Sequence, residues 1–280
     1  MKKTPCEPQI GADIEVFLYD NVRDTIVPCV GVINGTKDKP FIPKDYVQGF
    51  ALQEDNVMLE YNIPPAKTSA TWAGRFPVAH TMIMEHIPKH HGWRVLPEHQ
   101  FMPNDLRSNQ AKAIGCEPDH SAYDGGEERV IQVELTNWRS CGGHIHLGGN
   151  FNCPDFVAAL FAELCLGIGA GLRTTEPNTR TTWYGQPGIF RPKEYGIEYR
   201  TPDNMWTNNA NTIHRVGTVA LALCRYLTTN EAAVLRKAFR AITWPRLRDY
   251  MTPDTKRDQN TQRAMADAIV QEALTAGVPI

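Results

Sequence analysis

Four short stretches of this 280-residue chain place polar side chains two residues apart, the spacing at which a β-strand presents both on one face. Asp13 and Glu15 stand in Gly-Ala-Asp-Ile-Glu-Val-Phe, and Glu60 and Asn62 in Val-Met-Leu-Glu-Tyr-Asn. His144 and His146 occupy Gly-Gly-His-Ile-His-Leu-Gly-Gly, and Glu198 and Arg200 occupy Gly-Ile-Glu-Tyr-Arg. Two carboxylates held side by side repel, and the cost falls only when a cation lies between them or one takes a proton. Asp13 and Glu15 therefore mark either the solvated face of an edge strand or a cation site. Glu54, Asp55, Glu60 and Asn62 offer further hard oxygen ligands of the kind magnesium prefers. Taken singly, Glu60 reads as a surface residue of a half-exposed sheet.

The histidine pair is the sharpest of these features. Its flanking glycines leave one face open to a ligand, where one imidazole could bind a metal and the other donate to a phosphate oxygen. The competing reading is a pair of satisfied histidines lining a polar groove. Glu198 and Arg200 are either an ion pair on an exposed sheet or an acid and base with work to do. Upstream, Arg180 and Arg191 lie in a Gly- and Pro-rich segment, where guanidinium forks could grip phosphate or carboxylate.

The elements that must carry these residues follow from periodicity. Ile10 to Tyr19 alternates, with Ile10, Ala12, Ile14, Val16 and Leu18 on one face and Gly11, Asp13, Glu15 and Phe17 on the other. A β-rich run from Ile26 to Ile33 precedes an Asn34-Gly35 turn, and a strand over Val57–Ile63 ends at Pro64-Pro65. Trp72, Phe76, Ala79, Ile83 and Ile87 recur at helical spacing from Thr68 to about His86. Residues 93–137 read as irregular, with short strands and many prolines. Pro154 opens a helix to about Leu172, and further helices cover roughly Asn209–Leu227, Asn230–Ile242 and Gln259–Thr275. Acid-bearing strands first, with helices among and after them, indicate α+β with an antiparallel sheet rather than a βαβ series. No repeat or low-complexity linker divides the chain, so one domain over 1–280 is expected.

Composition narrows the setting. A formal charge of -2 demands neither nucleic acid nor an anionic membrane as partner. No apolar run approaches the roughly 20 residues needed to span a bilayer. Met1-Lys2-Lys3-Thr4-Pro5 has no apolar stretch behind it and is not a secretory signal. Seven cysteines without a CxxC spacing argue for a reducing compartment, hence a cytoplasmic protein. There is no Walker-type phosphate loop and no GxGxxG after the first strand. Cys141 near His144 invites a nucleophile reading that sequence proximity does not support. Glu85, His86, Lys89, His90 and His91 read as a solvated basic helix end rather than a metal cluster, and Asp119 and His120 fall in a loop without a reading.

Taken in order, acid-x-acid, a second acidic strand, G-H-x-H and E-x-R resemble the glutamine synthetase and glutamate–cysteine ligase superfamily, above all the type 2 carboxylate–amine ligases (amidoligases) of tailed phages. The resemblance covers about residues 10 to 206 and leaves the C-terminal helices, 208–280, unmatched. It implies a curved antiparallel sheet forming a funnel packed with helices, ATP at one end, and the acid and amine at the other. It assigns Asp13, Glu15, Glu60, His144 and Glu198 to metal binding, with Asp55 as a further partner of Glu60. It puts His146 on ATP phosphate and Arg200 on the carboxylate or the phosphate in transfer. The implied cofactors are ATP and magnesium, with manganese as the alternative ion, and the partners are small-molecule or peptide carboxylates and amines. If phage-encoded, the protein would work in the cytoplasm of a bacterial host. Asp13 stands where glutamine synthetases usually have Glu. No equivalent of the long ammonia-side flap is found, and the N-terminal domain that completes those ring-shaped enzymes has no counterpart. A ring is not implied, and a smaller oligomer is left open.

The expected reaction is ATP-dependent amide or peptide bond formation through an acyl phosphate. A carboxylate or guanidine kinase of the same fold, and an inactive phage structural or host-interaction protein, are the alternatives.

Overall fold

The computed structural model describes residues 6–113, 118–129, 136–174, 179–254 and 256–280. The N-terminal segment Met1–Pro5 lies outside them. The strands are β1 (Gln9–Asp20), β2 (Thr25–Val27), β3 (Ala51–Asp55), β4 (Met58–Ala66), β5 (His91–Arg94), β6 (Glu98–Gln100), β7 (Asp119–Ser121), β8 (Glu127–Arg129), β9 (Trp138–Ser140), β10 (Gly143–Gly148), β11 (Ile189–Lys193) and β12 (Gly196–Tyr199). The helices are α1 (Ser69–His86), α2 (Asn109–Lys112), α3 (Asp155–Ala162), α4 (Thr179–Trp183), α5 (Ala210–Thr229), α6 (Ala232–Ala241), α7 (Trp244–Met251) and α8 (Gln259–Thr275). Ten strands form one sheet in the order β3-β4-β1-β10-β12-β11-β7-β8, with β2 and β5 paired to the C-terminal half of β1. The pairings are antiparallel. The architecture is α+β, a large antiparallel sheet with helices, as the order of elements predicts.

Alternation along β1 decides which face meets the helices. Ile10, Ala12, Ile14, Val16 and Leu18 are buried against a core that includes Trp72, Phe76 and Met82 of α1 and Val216, Ala220 and Leu223 of α5. Trp72 is fully buried and stacks on Trp206 with ring centroids 5.7 Å apart, and such a side chain contributes roughly 2–3 kcal/mol through burial. The opposite face of the sheet is polar over β1, β4, β10 and β12. Beyond the acids it is closed by a smaller apolar cluster of Phe17, Val57, Met58, Phe101, Leu106, Ala111 and Cys141.

Several boundaries differ from expectation, each for a local reason. Of the run Ile26–Ile33 only Ile26 and Val27 lie in a strand, β2, because the amides of Gly31, Val32 and Ile33 turn to donate to the Glu54 carboxylate. The strand at Val57–Ile63 continues through Pro64-Pro65 to Ala66. Both prolines lie opposite Gly11 where the register shifts, a bulge at which a missing N–H costs no ladder bond. The helix begun at Pro154 widens after Ala162 into a π-helical stretch, Glu163–Gly169. The C-terminal region holds a helix that periodicity missed, Trp244–Met251, started by Pro245. Within 93–137, residues 114–117 and 130–135 lie outside the described residues.

Candidate active site

Strand register converts the four two-residue spacings into one site. Asp13 lies opposite Asn62 of β4 on one side and His144 of β10 on the other. Glu15 lies opposite Glu60, His146 opposite Glu198, and Glu198 opposite Arg191. Directly opposed side chains start roughly 4.5–5.5 Å apart, so the rows meet across five adjacent strands. Two glycines make room. A Cβ on Gly142 would sit 2.1 Å from Nε2 of His144, so any larger residue displaces that imidazole. Gly196 has φ of 150° and a Cβ there would meet the Leu147 carbonyl oxygen at 2.1 Å.

The β3-β4-β1 side gathers acids without a basic partner on those strands. Glu15, Asp55 and Glu60 each offer an oxygen, all within 4.8 Å of one another. Burial and then the neighbouring Asp13, Asp55 and Glu15 charges push the Glu60 carboxyl well above its ordinary range. Burial and the Glu15 charge raise Asp55 to about 6. Glu15 accepts a hydrogen bond from the Gly142 amide at 2.5 Å, which fixes its carboxylate. Two buried carboxylates and one half-buried one, mutually repelling, could hold a hard dication, and magnesium or manganese fits that donor set.

The β10-β12-β11-β7 side pairs its acids with the chain's own cations. Oδ1 of Asp13 lies 3.0 Å from Nε2 of His146 and 3.3 Å from Nδ1 of His144. His144 also approaches Glu198 at 3.6 Å, and Asp13, His144 and Glu198 bring three ligand atoms within 4.8 Å of one another. Nδ1 is thus the His144 nitrogen turned toward both acids, 3.2 Å from an Arg200 amino group, while Nε2 is buried against Gly142 without a hydrogen-bond partner. Burial and the Arg200 charge lower the His144 pKa, which favours the neutral, ligating imidazole. For His146 burial opposes the charge, but Asp13 and Glu198 outweigh it and raise the pKa. Burial likewise opposes ionisation of Glu198, and Arg200, followed by the two histidines, overcomes it. Glu198 is bonded by Arg200 and by Lys193 at 2.8 Å.

Three participants have no signature in the sequence. Asp119 of β7 accepts a hydrogen bond from an amino group of Arg191 and forms an ion pair with Nε of Arg200, each at 3.0 Å, and so holds both guanidinium groups. Lys193 and Tyr195 sit in the β11–β12 hairpin, with the Tyr195 hydroxyl 2.8 Å from Nδ1 of His146 and the two rings stacked. Tyr195 and Lys193 flank the Glu198 motif closely enough to have been considered. Asp119 could be found only through the pairing of β7 with β11.

Other expected residues fall in different places. Asn62 is half-buried on the polar face opposite Asp13. Glu54 leaves the ligand set, because its carboxylate is occupied by three backbone amides and Gln110. Arg180 is buried, with one amino group donating to the Arg200 and Pro202 carbonyls at 2.7 and 3.0 Å. It braces the exit of β12 from beneath, while Arg191 stands on the polar face beside Glu198 at 3.8 Å.

Among curated proteins, none matches this sequence. A solved structure of a bifunctional glutathione synthetase from Pasteurella multocida is 12% identical, with a TM-score of 0.45. It covers 97% of this chain, which spans only 46% of that protein. The model of the family described as phage phiEco32-like COOH.NH2 ligase-type 2 matches residues 131–266, just under half of the chain. That stretch carries His144, His146, Arg191, Glu198 and Arg200, and over it the chain is similar to the phage phiEco32-like carboxylate–amine ligases of type 2.

Proposed function

We propose that this protein is an ATP- and magnesium-dependent carboxylate–amine ligase that forms an amide or peptide bond through an acyl phosphate, with the polar sheet face as the waist of a glutamine synthetase-like funnel. The observation that carries the reading is the convergence of two ligand clusters, Glu15/Asp55/Glu60 and Asp13/His144/Glu198, beside two arginines locked on Asp119. One core cluster running from Ile10 to Val278 supports a single catalytic unit over the whole chain. No helix among the described residues is long and apolar enough to cross a membrane. A cytoplasmic site of action remains part of the proposal.

An acid and an amine do not condense in water until the acid's oxygen becomes a leaving group. Bound at the acidic cluster, magnesium or manganese would supply charge neutralisation for the phosphates of ATP. Glu15, Asp55 and Glu60 hold that position, with Asn62 beside them. Arg200 and Arg191, held by Asp119, present guanidinium groups to the phosphoryl group and the substrate carboxylate. His146, whose charged form Asp13 and Glu198 favour against burial and whose ring Tyr195 orients, places positive charge beside the phosphates. The amine then attacks the activated carbonyl and phosphate leaves.

The deciding experiment measures ADP release from magnesium-ATP with mixtures of candidate acids and amines. Release that requires both substrates supports the ligase. Release with acid alone, leaving a phosphorylated product, would replace it by the kinase, and no turnover with any pair would leave only the family's fold.

A further inference from the structure

The segment after α1 behaves differently from the basic helix end that its composition suggests. Glu85 is taken by the Tyr46 hydroxyl, and His86 bonds the Met82 carbonyl at 2.7 Å, so neither is available to a cluster. His90 and His91 instead meet Asp20 at the far end of β1. Seven residues of strand, about 23 Å at roughly 3.3 Å each, separate that end from Asp13. The register places Asp20 directly opposite His91, and the Asn21 amide holds the His90 carbonyl at 2.9 Å.

We propose that Asp20, His90 and His91 form a separate transition-metal site, taking zinc, cobalt or nickel rather than magnesium. One ligand atom from each of the three lies within 4.8 Å of the other two. The Asp20 carboxylate is buried and oriented: its Oδ1 accepts from the Val22 and Arg23 amides at 2.9 and 3.1 Å. Such outer hydrogen bonds characterise ligating carboxylates, and they leave Oδ2 for an ion. Among the described residues Oδ2 meets Nε of Arg23, at 3.6 Å and on a side chain 75% exposed, a contact of little energy that water and salt screen. Nδ1 of His91 is buried and has no hydrogen-bond partner, while the two imidazole rings lie 4.1 Å apart. Two nitrogens and one carboxylate oxygen suit zinc, cobalt and nickel, whereas magnesium prefers oxygen alone. Bound there, the ion ties the turn before β5 to β1 at the sheet edge.

The site is independent of the ligase reading, and so is its test. The full-length protein is dialysed against cobalt, and bound metal is quantified together with its visible absorption. His91→Ala and the exposed His90→Gln should each lose one equivalent of cobalt relative to wild type and weaken that site at least tenfold. Both should keep wild-type melting temperature without metal and wild-type turnover with magnesium-ATP. His144→Ala should keep the Asp20 site's equivalent. Wild-type stoichiometry and affinity in both His91→Ala and His90→Gln would overturn the assignment, whatever the catalytic assays show.

Discussion

The two halves of the polar sheet face hold similar acids in opposite states. Glu15, Asp55 and Glu60 sit on β1, β3 and β4 with mostly one another for company, and burial with mutual repulsion raises Asp55 and Glu60. Asp13, Glu198 and Asp119 are buried as deeply or nearly so, yet His144, His146, Arg191, Lys193 and Arg200 surround them, and Asp13 and Glu198 are held low. Strand geometry delivers carboxylates to both halves, and the neighbours decide what each can do. The second half supplies its own cations and is built to hold charge in fixed positions. On the proposed reading, the first half takes its cation from outside.

The sharpest way to break this contrast is to neutralise one acid of the unpaired half. Glu60→Gln should lower magnesium-dependent ADP release by a thousandfold or more, because it removes an ion ligand. The same change should raise the melting temperature of the metal-free protein by a few degrees, since a repulsion worth on the order of 1 kcal/mol disappears. Thermal shifts with and without magnesium-ATP check both, as the ligand stabilises only a chain that binds it. An unchanged melting temperature without metal would show that the three carboxylates do not strain the fold.

In the paired half, Arg200→Ala should cost about a hundredfold in turnover, roughly 3 kcal/mol of transition-state stabilisation. Unlike Glu60→Gln it should also destabilise the protein, because Glu198 and Asp119 stay buried with fewer partners. Denaturant midpoints with parallel kinetics separate the two effects.

A buried acid on the other side of the sheet isolates burial from clustering. Glu163 is pushed up to about 7 by burial, although Gly188, Tyr199 and Thr201 donate to it. Its folded pKa exceeds the unfolded value near 4.5, so the folded state binds the extra proton between those limits. Stability from this group is full below about pH 4.5 and falls, by roughly 3 kcal/mol, as pH rises to about 7. Glu163→Gln should flatten that decline in unfolding experiments across the same window. The smallest effect is expected at Asp119. Asp119→Asn should raise the KM for ATP or the acid about tenfold with kcat less affected, by loosening two guanidinium groups that still carry their charge.

Much of the site was legible because a strand has a period of two. Asp13 with Glu15, Glu60 with Asn62, His144 with His146 and Glu198 with Arg200 share one face by local geometry alone, and Ile10 to Leu18 show which face meets the helices. The helix α1 was equally readable from Trp72, Phe76 and Ile83 at helical spacing. Partners across strands were not legible, because register depends on where each chain segment turns and on which pairs of faces bury together. Only the tertiary structure separates Asp55 from Glu54, giving one to the acidic cluster and the other to the amides of Gly31, Val32 and Ile33. It alone brings Asp119 from a segment without periodicity to Arg191 and Arg200, and takes Arg180 to main-chain carbonyls beneath them. Local sequence determined which side chains could face a common space. Long-range packing decided which carboxylates find cations within the protein and which are left with one another.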